Sequence, residues 1–300
     1  MGKILYGYEN QILLKNAYAS WVQAIKNARN IKNGFVTLQY KKTFIATLHN
    51  AVELFLKQLM LNQKDYRIAK VRAEKLDSNG EPLKSYYQSL DLNEYFKKLT
   101  IEIRKLYISI EFSELVQLHK DLLGTSLNAG TSYTTELKLL QRLRNDETHF
   151  YIEPDEFLTD IEFVTLHNFM VDFHKTLKAK NLIPSFDMPI NEESLLCFSD
   201  TKITTSFSFR GAVKKAPKVK AIAIILDNQL FRDFAPPYEL AEIFEKDFLM
   251  KGISFDEAYC CIEAMFDYGL LDFQEEHSVT ENEHGILERI DEGYRITCKV

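Results

Sequence analysis

The sequence predicts a mainly α protein in which an N-terminal helical bundle precedes a small α+β domain. Apolar residues recur at intervals of three and four through most of residues 8–180, which is the periodicity of amphipathic helices. After residue 183, prolines and short runs of alternating or clustered apolar residues replace that pattern, as is typical of turns and strands. We therefore divide the chain into a helical bundle (1–182), a linker and β-rich segment (183–236) and a small α+β domain (237–300).

The composition is that of a soluble globular protein. Of 300 residues, 46% are hydrophobic and 27% charged, which is ordinary for a folded domain. The longest aliphatic run, 221–226, is far too short to span a bilayer. We expect a cytoplasmic protein without a metal or other cofactor, because the cysteines match neither a zinc site nor a disulfide framework: Cys197, Cys260, Cys261 and Cys298.

Charge is distributed unevenly along the chain. Residues 237–300 contain 16 Asp and Glu against 5 Lys and Arg, so they carry −11, whereas the remaining residues carry +5 of the net −6. This asymmetry indicates that the two parts of the chain have different partners.

Five segments of the bundle have helical periodicity. Two long antiparallel helices are predicted at 8–32 and 36–62, and shorter ones at 93–109 and 113–123. The helix at 36–62 is predicted to carry one apolar stripe: Phe44, Leu48, Val52, Phe55 and Leu59. The last helix, 156–180, is expected to direct an apolar stripe to the core: Phe157, Ile161, Val164, Phe169 and Phe173.

A polar motif, Gln141 to Tyr151, lies on a further predicted helix. At roughly 100° per residue, Leu139, Leu143 and Phe150 share one stripe. The polar side chains are predicted to face away from it: Arg144, Asn145, Thr148 and His149. A planar cation beside a titratable ring suits a phosphodiester, because the two can stabilise charge and transfer protons.

This Arg-Asn-x3-His pattern resembles the signature of the HEPN superfamily, whose helical domains occur in metal-independent ribonucleases of toxin and antiviral systems. The resemblance implies that His149 transfers protons, that Arg144 clamps the phosphate and that Asn145 orients the ring or the phosphate. It also implies an RNA substrate and a homodimer, in which two copies of the motif face one cleft.

The predicted helix 36–62 carries His49, Glu53 and Lys57 at steps of four. Some HEPN families place a similar Glu-x3-Lys pair near the active site, so Glu53 and Lys57 are candidate supporting residues. The alternative is an ordinary ion pair on a solvated face. Tyr151 completes an Arg-x4-His-x-Tyr run similar to HEPN toxins that a partner nucleotidyltransferase adenylylates, which makes Tyr151 a candidate modification site.

Two basic segments have open interpretations. Residues 64–90 interrupt the helical pattern and combine cations with tyrosines, which fits either an RNA-contacting insertion or a solvated loop. Residues 210–218 are predicted to form a basic turn between strands at 202–209 and 219–226. That turn either touches nucleic acid or serves as a solubilising hairpin tip.

Residues 237–300 are predicted to form helices at 238–248 and 254–268, strands at 270–273 and 292–298, and an acidic loop between the strands. This order resembles a winged helix-turn-helix. The second helix contains acidic residues and no Lys or Arg, so DNA binding is disfavoured. We expect a dimerising or protein-contacting module, with a protein partner or an antitoxin as its ligand.

The sequence thus predicts a HEPN-like endoribonuclease of stress response or antiviral defence, which cleaves RNA by 2′-hydroxyl transesterification. The alternative is a non-catalytic helical protein that binds nucleotide or RNA, or assembles a complex.

Overall fold

The computed structural model describes residues 12–63, 65–71, 107–124, 132–149, 156–183, 202–281 and 287–300. These ranges are mainly helical. Their helices are α1 (Ile12–Lys32), α2 (Leu38–Asn62), α3 (Phe112–Leu123), α4 (Thr134–His149), α5 (Asp160–Ala179), α6 (Phe209–Lys215), α7 (Pro217–Leu226), α8 (Pro237–Ile243), α9 (Glu245–Met250) and α10 (Phe255–Asp267).

Within the described ranges, two small antiparallel sheets accompany the helices. Strands β1 (Ala69–Val71) and β2 (Tyr107–Ser109) form one sheet. Strands β3 (Leu230–Phe231), β4 (Leu271–Glu281) and β5 (Leu287–Cys298) form the other, in the order β3-β5-β4. Among the described helices, none is long and apolar enough to cross a bilayer.

The chain forms two compact units that are discontinuous in sequence. The first comprises residues 1–25, 44–151 and 165–203, and the second comprises residues 26–43, 152–164 and 204–300. The predicted boundaries at residues 182 and 236 stay a prediction.

The core of the first unit surrounds Trp21. The Trp21 ring is fully buried and packs edge-on against Phe55 and Phe173, with centroids 6.1 and 5.9 Å away. Its Nε1–H donates a hydrogen bond to Nδ1 of His174 at 3.0 Å, so the polar atom of the indole has a partner inside the core. Helix α2 contributes the buried stripe that its periodicity predicts: Phe44, Leu48, Val52, Phe55 and Leu59.

The second unit brings the turn between α1 and α2 against the junction of α6 and α7. Gly34 has φ +95°, and a Cβ at this position would lie 2.7 Å from Cβ of Ala216. Both the left-handed backbone and the close approach require glycine here. Lys41 is buried in the same unit, with its ammonium 4.7 Å from the Phe209 ring centroid.

Helix α10 begins as its sequence predicts. The Ser254 side chain accepts a hydrogen bond from the Glu257 N–H, and the Glu257 side chain accepts one from the Ser254 N–H. This capping box satisfies two backbone donors at the helix start. The strands that follow are longer than predicted, because β4 and β5 extend through much of the expected acidic loop.

The strand predictions for 202–209 and 219–226 are wrong. Residues 202–208 form no strand, and residues 209–215 and 217–226 are helical. The described part of 183–236 is therefore not β-rich, and residues 210–218 are not a hairpin tip. In α7 the buried residues recur at helical spacing, Val219, Ile222, Ala223 and Leu226. A short apolar run fits both periods, and Pro217 at the first helical turn favours the helix.

Two details of the bundle also differ from expectation. Residues 107–109 form a strand instead of the end of a helix. Helix α5 starts only at Asp160, with a capping box between Thr159 and Glu162. Ile161 is exposed rather than in the core, because it lies on the same side of α5 as Asn168 and Asp172, which are not buried either. Residues 195–198, which were also expected to form a strand of the β-rich segment, and most of the basic segment 64–90 lie outside the described residues.

Candidate functional site

Helix α4 contains the Arg-Asn-x3-His motif and continues to His149. Its buried stripe consists of Leu137, Leu140 and Leu143, so the predicted stripe through Leu139 was misplaced by part of a turn. Leu139 is only half-buried. Because Leu140 rather than Leu139 faces the core, the polar residues of the motif are rotated around α4 relative to the prediction.

Arg144 follows Leu140 by one helical turn and is half-buried, so the prediction that it faces away from the core is wrong. Asn145 is exposed on another side of α4. At roughly 100° per residue, the position of His149 lies about 40° from Asn145 and about 140° from Arg144. The helix therefore does not present Arg144 and His149 on one face. The His149 side chain and Tyr151 lie outside the described part of the chain.

Arg144 is held by a carboxylate on its own helix. Its guanidinium forms an ion pair with Glu147 three residues on. The Thr148 hydroxyl donates to the Arg144 carbonyl oxygen at 2.7 Å and to the Glu147 carboxylate at 3.3 Å. These contacts order the last turn of α4 around Arg144.

Helix α2 supplies a second set of polar groups. The Lys57 ammonium donates to a carboxylate oxygen of Glu53 at 2.5 Å, and the other oxygen lies 3.7 Å from Nδ1 of His49. Lys57 is buried and Glu53 is half-buried. The alternative of an ordinary pair on a solvated face is therefore wrong for Lys57, because a buried ammonium depends on its carboxylate partner.

His49 links the two helices electrostatically. Burial lowers the pKa of His49 to about 4, the Glu53 carboxylate opposes this shift, and the positive charges of Arg144 and Lys57 lower the pKa further. The imidazole is thus neutral at pH 7. It packs on the Phe112 ring with centroids 4.1 Å apart, and α3, which begins at Phe112, contacts α4.

The site therefore joins residues that are about ninety positions apart in the sequence. The predicted residues Arg144, Glu53 and Lys57 share the neighbourhood of His49, whereas Asn145 points to solvent from α4. A second arginine on α4, Arg142, pairs with Asp146 at 3.0 Å on the exposed side. The functional region is a partly buried cluster of two cations, two carboxylates and a neutral imidazole.

Sequence reasoning assigned no site role to two members of this cluster, His49 and Glu147. The spacing of His49 from Glu53 was visible as one helical turn, and Glu147 lies inside the motif itself. The place of His49 and Glu147 in the cluster depends on how far they are buried and on which helix packs beside them. Their spacing in the sequence therefore did not identify them as site residues.

Arg144 and Lys57 are the groups in the cluster suited to an anion. Arginine offers five N–H donors, so Arg144 can keep Glu147 and still donate to a phosphate oxygen. Within the described residues there is no group of three or more His, Cys, Asp or Glu side chains that could hold a metal ion.

Comparison of the chain with protein-family models, curated proteins and solved structures gave no match. The residues of the cluster and their geometry are therefore the basis for any functional proposal.

Proposed function

We propose that the chain is a HEPN-like endoribonuclease that cleaves RNA by 2′-hydroxyl transesterification without a metal ion. The observation that carries the proposal is that Arg144 and the Glu53–Lys57 pair, whose ammonium is buried, both act electrostatically on His49. Two cations beside a neutral ring in a partly buried site suit the developing charge on phosphorus, because interactions with charge strengthen where water is excluded.

In the proposed reaction, the ribose 2′-oxygen attacks phosphorus and the bond from phosphorus to the 5′-oxygen breaks. A base accepts the 2′-hydroxyl proton and an acid donates a proton to the leaving 5′-oxygen, so the products are a 2′,3′-cyclic phosphate and a 5′-hydroxyl. His149 is assigned to proton transfer, since an unperturbed imidazole titrates near pH 6.5. His49 is unsuited to that role because its low pKa makes it a weak base.

A homodimer would supply the second imidazole. The position of His149 lies about 140° around α4 from Arg144, so one chain does not direct both groups from the same face of this helix. In the proposed dimer, His149 of each chain transfers one of the two protons, Arg144 binds the phosphate and Asn145 orients the ring or the phosphate.

Single-turnover cleavage of a mixed tRNA and mRNA pool in EDTA tests the proposal. We expect the wild type to leave 2′,3′-cyclic phosphate ends, and His149→Ala and Arg144→Ala each to lose on the order of 10² or more in rate. Arg142→Ala is the matched control, because Arg142 lies on the same helix in an exposed ion pair. Equal cleavage by all four proteins, or none by the wild type, would refute the proposal.

The second candidate is a non-catalytic module that binds nucleotide or RNA. The ion pair between Arg144 and Glu147 favours it, because a guanidinium already neutralised by a carboxylate stabilises a developing charge less. If the wild type binds labelled RNA in a fluorescence anisotropy titration but does not cleave it, this candidate is supported. Loss of that binding in Arg144→Ala, but not in Arg142→Ala, would assign it to the cluster.

We also infer a winged-helix-like arrangement for residues 217–300. This inference is supported by the order of the elements along the chain, which is α7, β3, α8, α9, α10, β4 and β5. It is also supported by the sheet, in which β5 is the central strand. Helix α10 occupies the position that such domains offer to DNA, yet it carries Asp256, Glu257, Glu263 and Asp267 and no cation. Since DNA would be repelled by that surface, we propose contact with protein instead.

A further inference from the structure

Helix α10 carries aromatic side chains along one side. At roughly 100° per residue, Phe255, Tyr259 and Phe266 lie within about 40° of one another around the helix. None of the three is buried. Eleven residues separate the first from the last, so at about 1.5 Å per residue this row is about 16 Å long.

Neighbouring elements of the second unit extend the row at both ends. The Tyr238 ring lies 5.3 Å from Phe255 and 6.0 Å from Tyr259. The Phe234 ring lies 6.0 Å from Phe266. Tyr238, Phe234 and Phe266 are 55%, 47% and 41% exposed, which is high for adjoining aromatic residues. We name these five residues the aromatic strip. Contiguous exposed apolar surface of this kind marks an interaction site.

Two carboxylates border the strip. Glu263 lies about 40° around α10 from Tyr259 and one turn before Asp267. Its carboxylate makes a side-chain hydrogen bond with Tyr259, and burial together with the charge of Asp267 raises its pKa. No lysine or arginine occurs in α10. A desolvated carboxylate next to a like charge is stabilised by an approaching cation.

We propose that the aromatic strip binds a short basic segment of a protein partner, with an arginine or lysine side chain placed against Glu263 and Asp267. Aromatic faces attract cations, and arginine stacks on them best. An extended segment of about five residues at roughly 3.3 Å each covers the 16 Å strip, so alternate side chains face it. The balance of −11 in residues 237–300 steers a basic segment to this surface.

Full-length protein and a fluorescent nonapeptide of alternating leucine and arginine provide the test. We expect saturable binding in an anisotropy titration at low ionic strength, and we expect Glu263→Gln to weaken it about tenfold or more. Glu257→Gln is the matched control: Glu257 lies on the same helix about 120° away and pairs with Lys218. Its affinity should stay within about twofold of wild type, with thermal unfolding confirming that both variants fold.

A second variant separates the aromatic contribution from the charge. Phe234→Ala truncates an exposed ring outside α10 and should also weaken the peptide, by about tenfold. A peptide in which glutamate replaces arginine should not bind, because the strip would then face like charges.

Three results would overturn the proposal. They are no arginine-peptide binding by the wild type up to about 1 mM, equal affinities for Glu263→Gln and Glu257→Gln, or a concentration-dependent dimer that Phe234→Ala abolishes. The last result would assign the strip to a second copy of the chain. The inference does not depend on the ribonuclease proposal, since the peptide assay contains no RNA.

Discussion

Neutralising Glu53 should destabilise the first unit strongly, because it leaves the buried ammonium of Lys57 without an anionic partner. The Lys57 and Glu53 side chains are 10% and 25% exposed, and Lys57 Nζ lies 2.5 Å from the carboxylate. Breaking a buried pair costs about 3–5 kcal/mol. Since a quarter of Glu53 reaches solvent, we expect Glu53→Gln to lower the free energy of unfolding by about 2–3 kcal/mol.

The reverse substitution should cost much less. Lys57→Met removes the buried charge and keeps an unbranched apolar chain, whereas Glu53 remains partly hydrated. We expect a loss of about 1 kcal/mol or less, and the double variant should recover most of the loss caused by Glu53→Gln. The exposed pair of Arg142 and Asp146, with side chains 51% and 33% exposed, supplies the control. Asp146→Asn should cost at most about 0.5 kcal/mol.

Urea unfolding at pH 7, followed by tryptophan fluorescence, measures these differences in the relevant unit. Trp21 is the only tryptophan of the chain and is buried in the core of the first unit. If Glu53→Gln costs no more than Asp146→Asn, or if Lys57→Met costs more than Glu53→Gln, then the buried Lys57 ammonium does not depend on Glu53.

Three further predictions concern pH, the core and the close approach of β5 to β3. The folded pKa of His49 is about 4, so the neutral ring stabilises the fold above pH 6.5 and this stabilisation is lost as the pH falls to 4. Between pH 6.5 and pH 4, the free energy of unfolding measured in urea should therefore fall by about 3 kcal/mol less in His49→Gln than in the wild type. Equal losses in the two proteins would contradict this prediction. Trp21→Phe leaves Nδ1 of His174 without its indole donor, so thermal unfolding followed by circular dichroism should show a cost of about 2–4 kcal/mol, partly restored by adding His174→Phe. Gly293→Ala would place a Cβ 1.8 Å from a backbone oxygen of β3, whereas a Cβ at Gly252 meets nothing within 4 Å. In thermal unfolding, Gly293→Ala should cost at least about 3 kcal/mol and Gly252→Ala about 1 kcal/mol. Similar costs for the two variants would refute the close approach of Gly293 to β3.

Helices with long, regular periodicity were predictable from sequence. The stripe of α2 recurs over 25 residues, and all five of its predicted core positions are buried. The start of α10 was equally clear, because Ser254 and Glu257 form a capping box from local contacts alone. In both cases neighbours within a few residues determine the conformation.

Shorter segments were decided by packing. The apolar run 219–226 fits a strand or a helix by its pattern, and it is helical with Lys220 and Ile224 exposed one turn apart. On α4, the leucines at both Leu139 and Leu140 could have formed the inward face, and the neighbouring helices bury Leu140. That choice rotates the motif and brings Arg144 inward.

By itself, the sequence determined the mainly α class, the two long helices, and the candidate residues Arg144, Glu53 and Lys57. Only the tertiary structure decided that Arg144 acts on His49 alongside Glu53 and Lys57, because α2 and α4 are separated by about seventy residues of chain. The periodicity of a sequence determines which side of a helix is apolar, but only the elements packed on that side determine which side chains are buried. Burial in turn lowers the pKa of His49 and keeps its ring neutral.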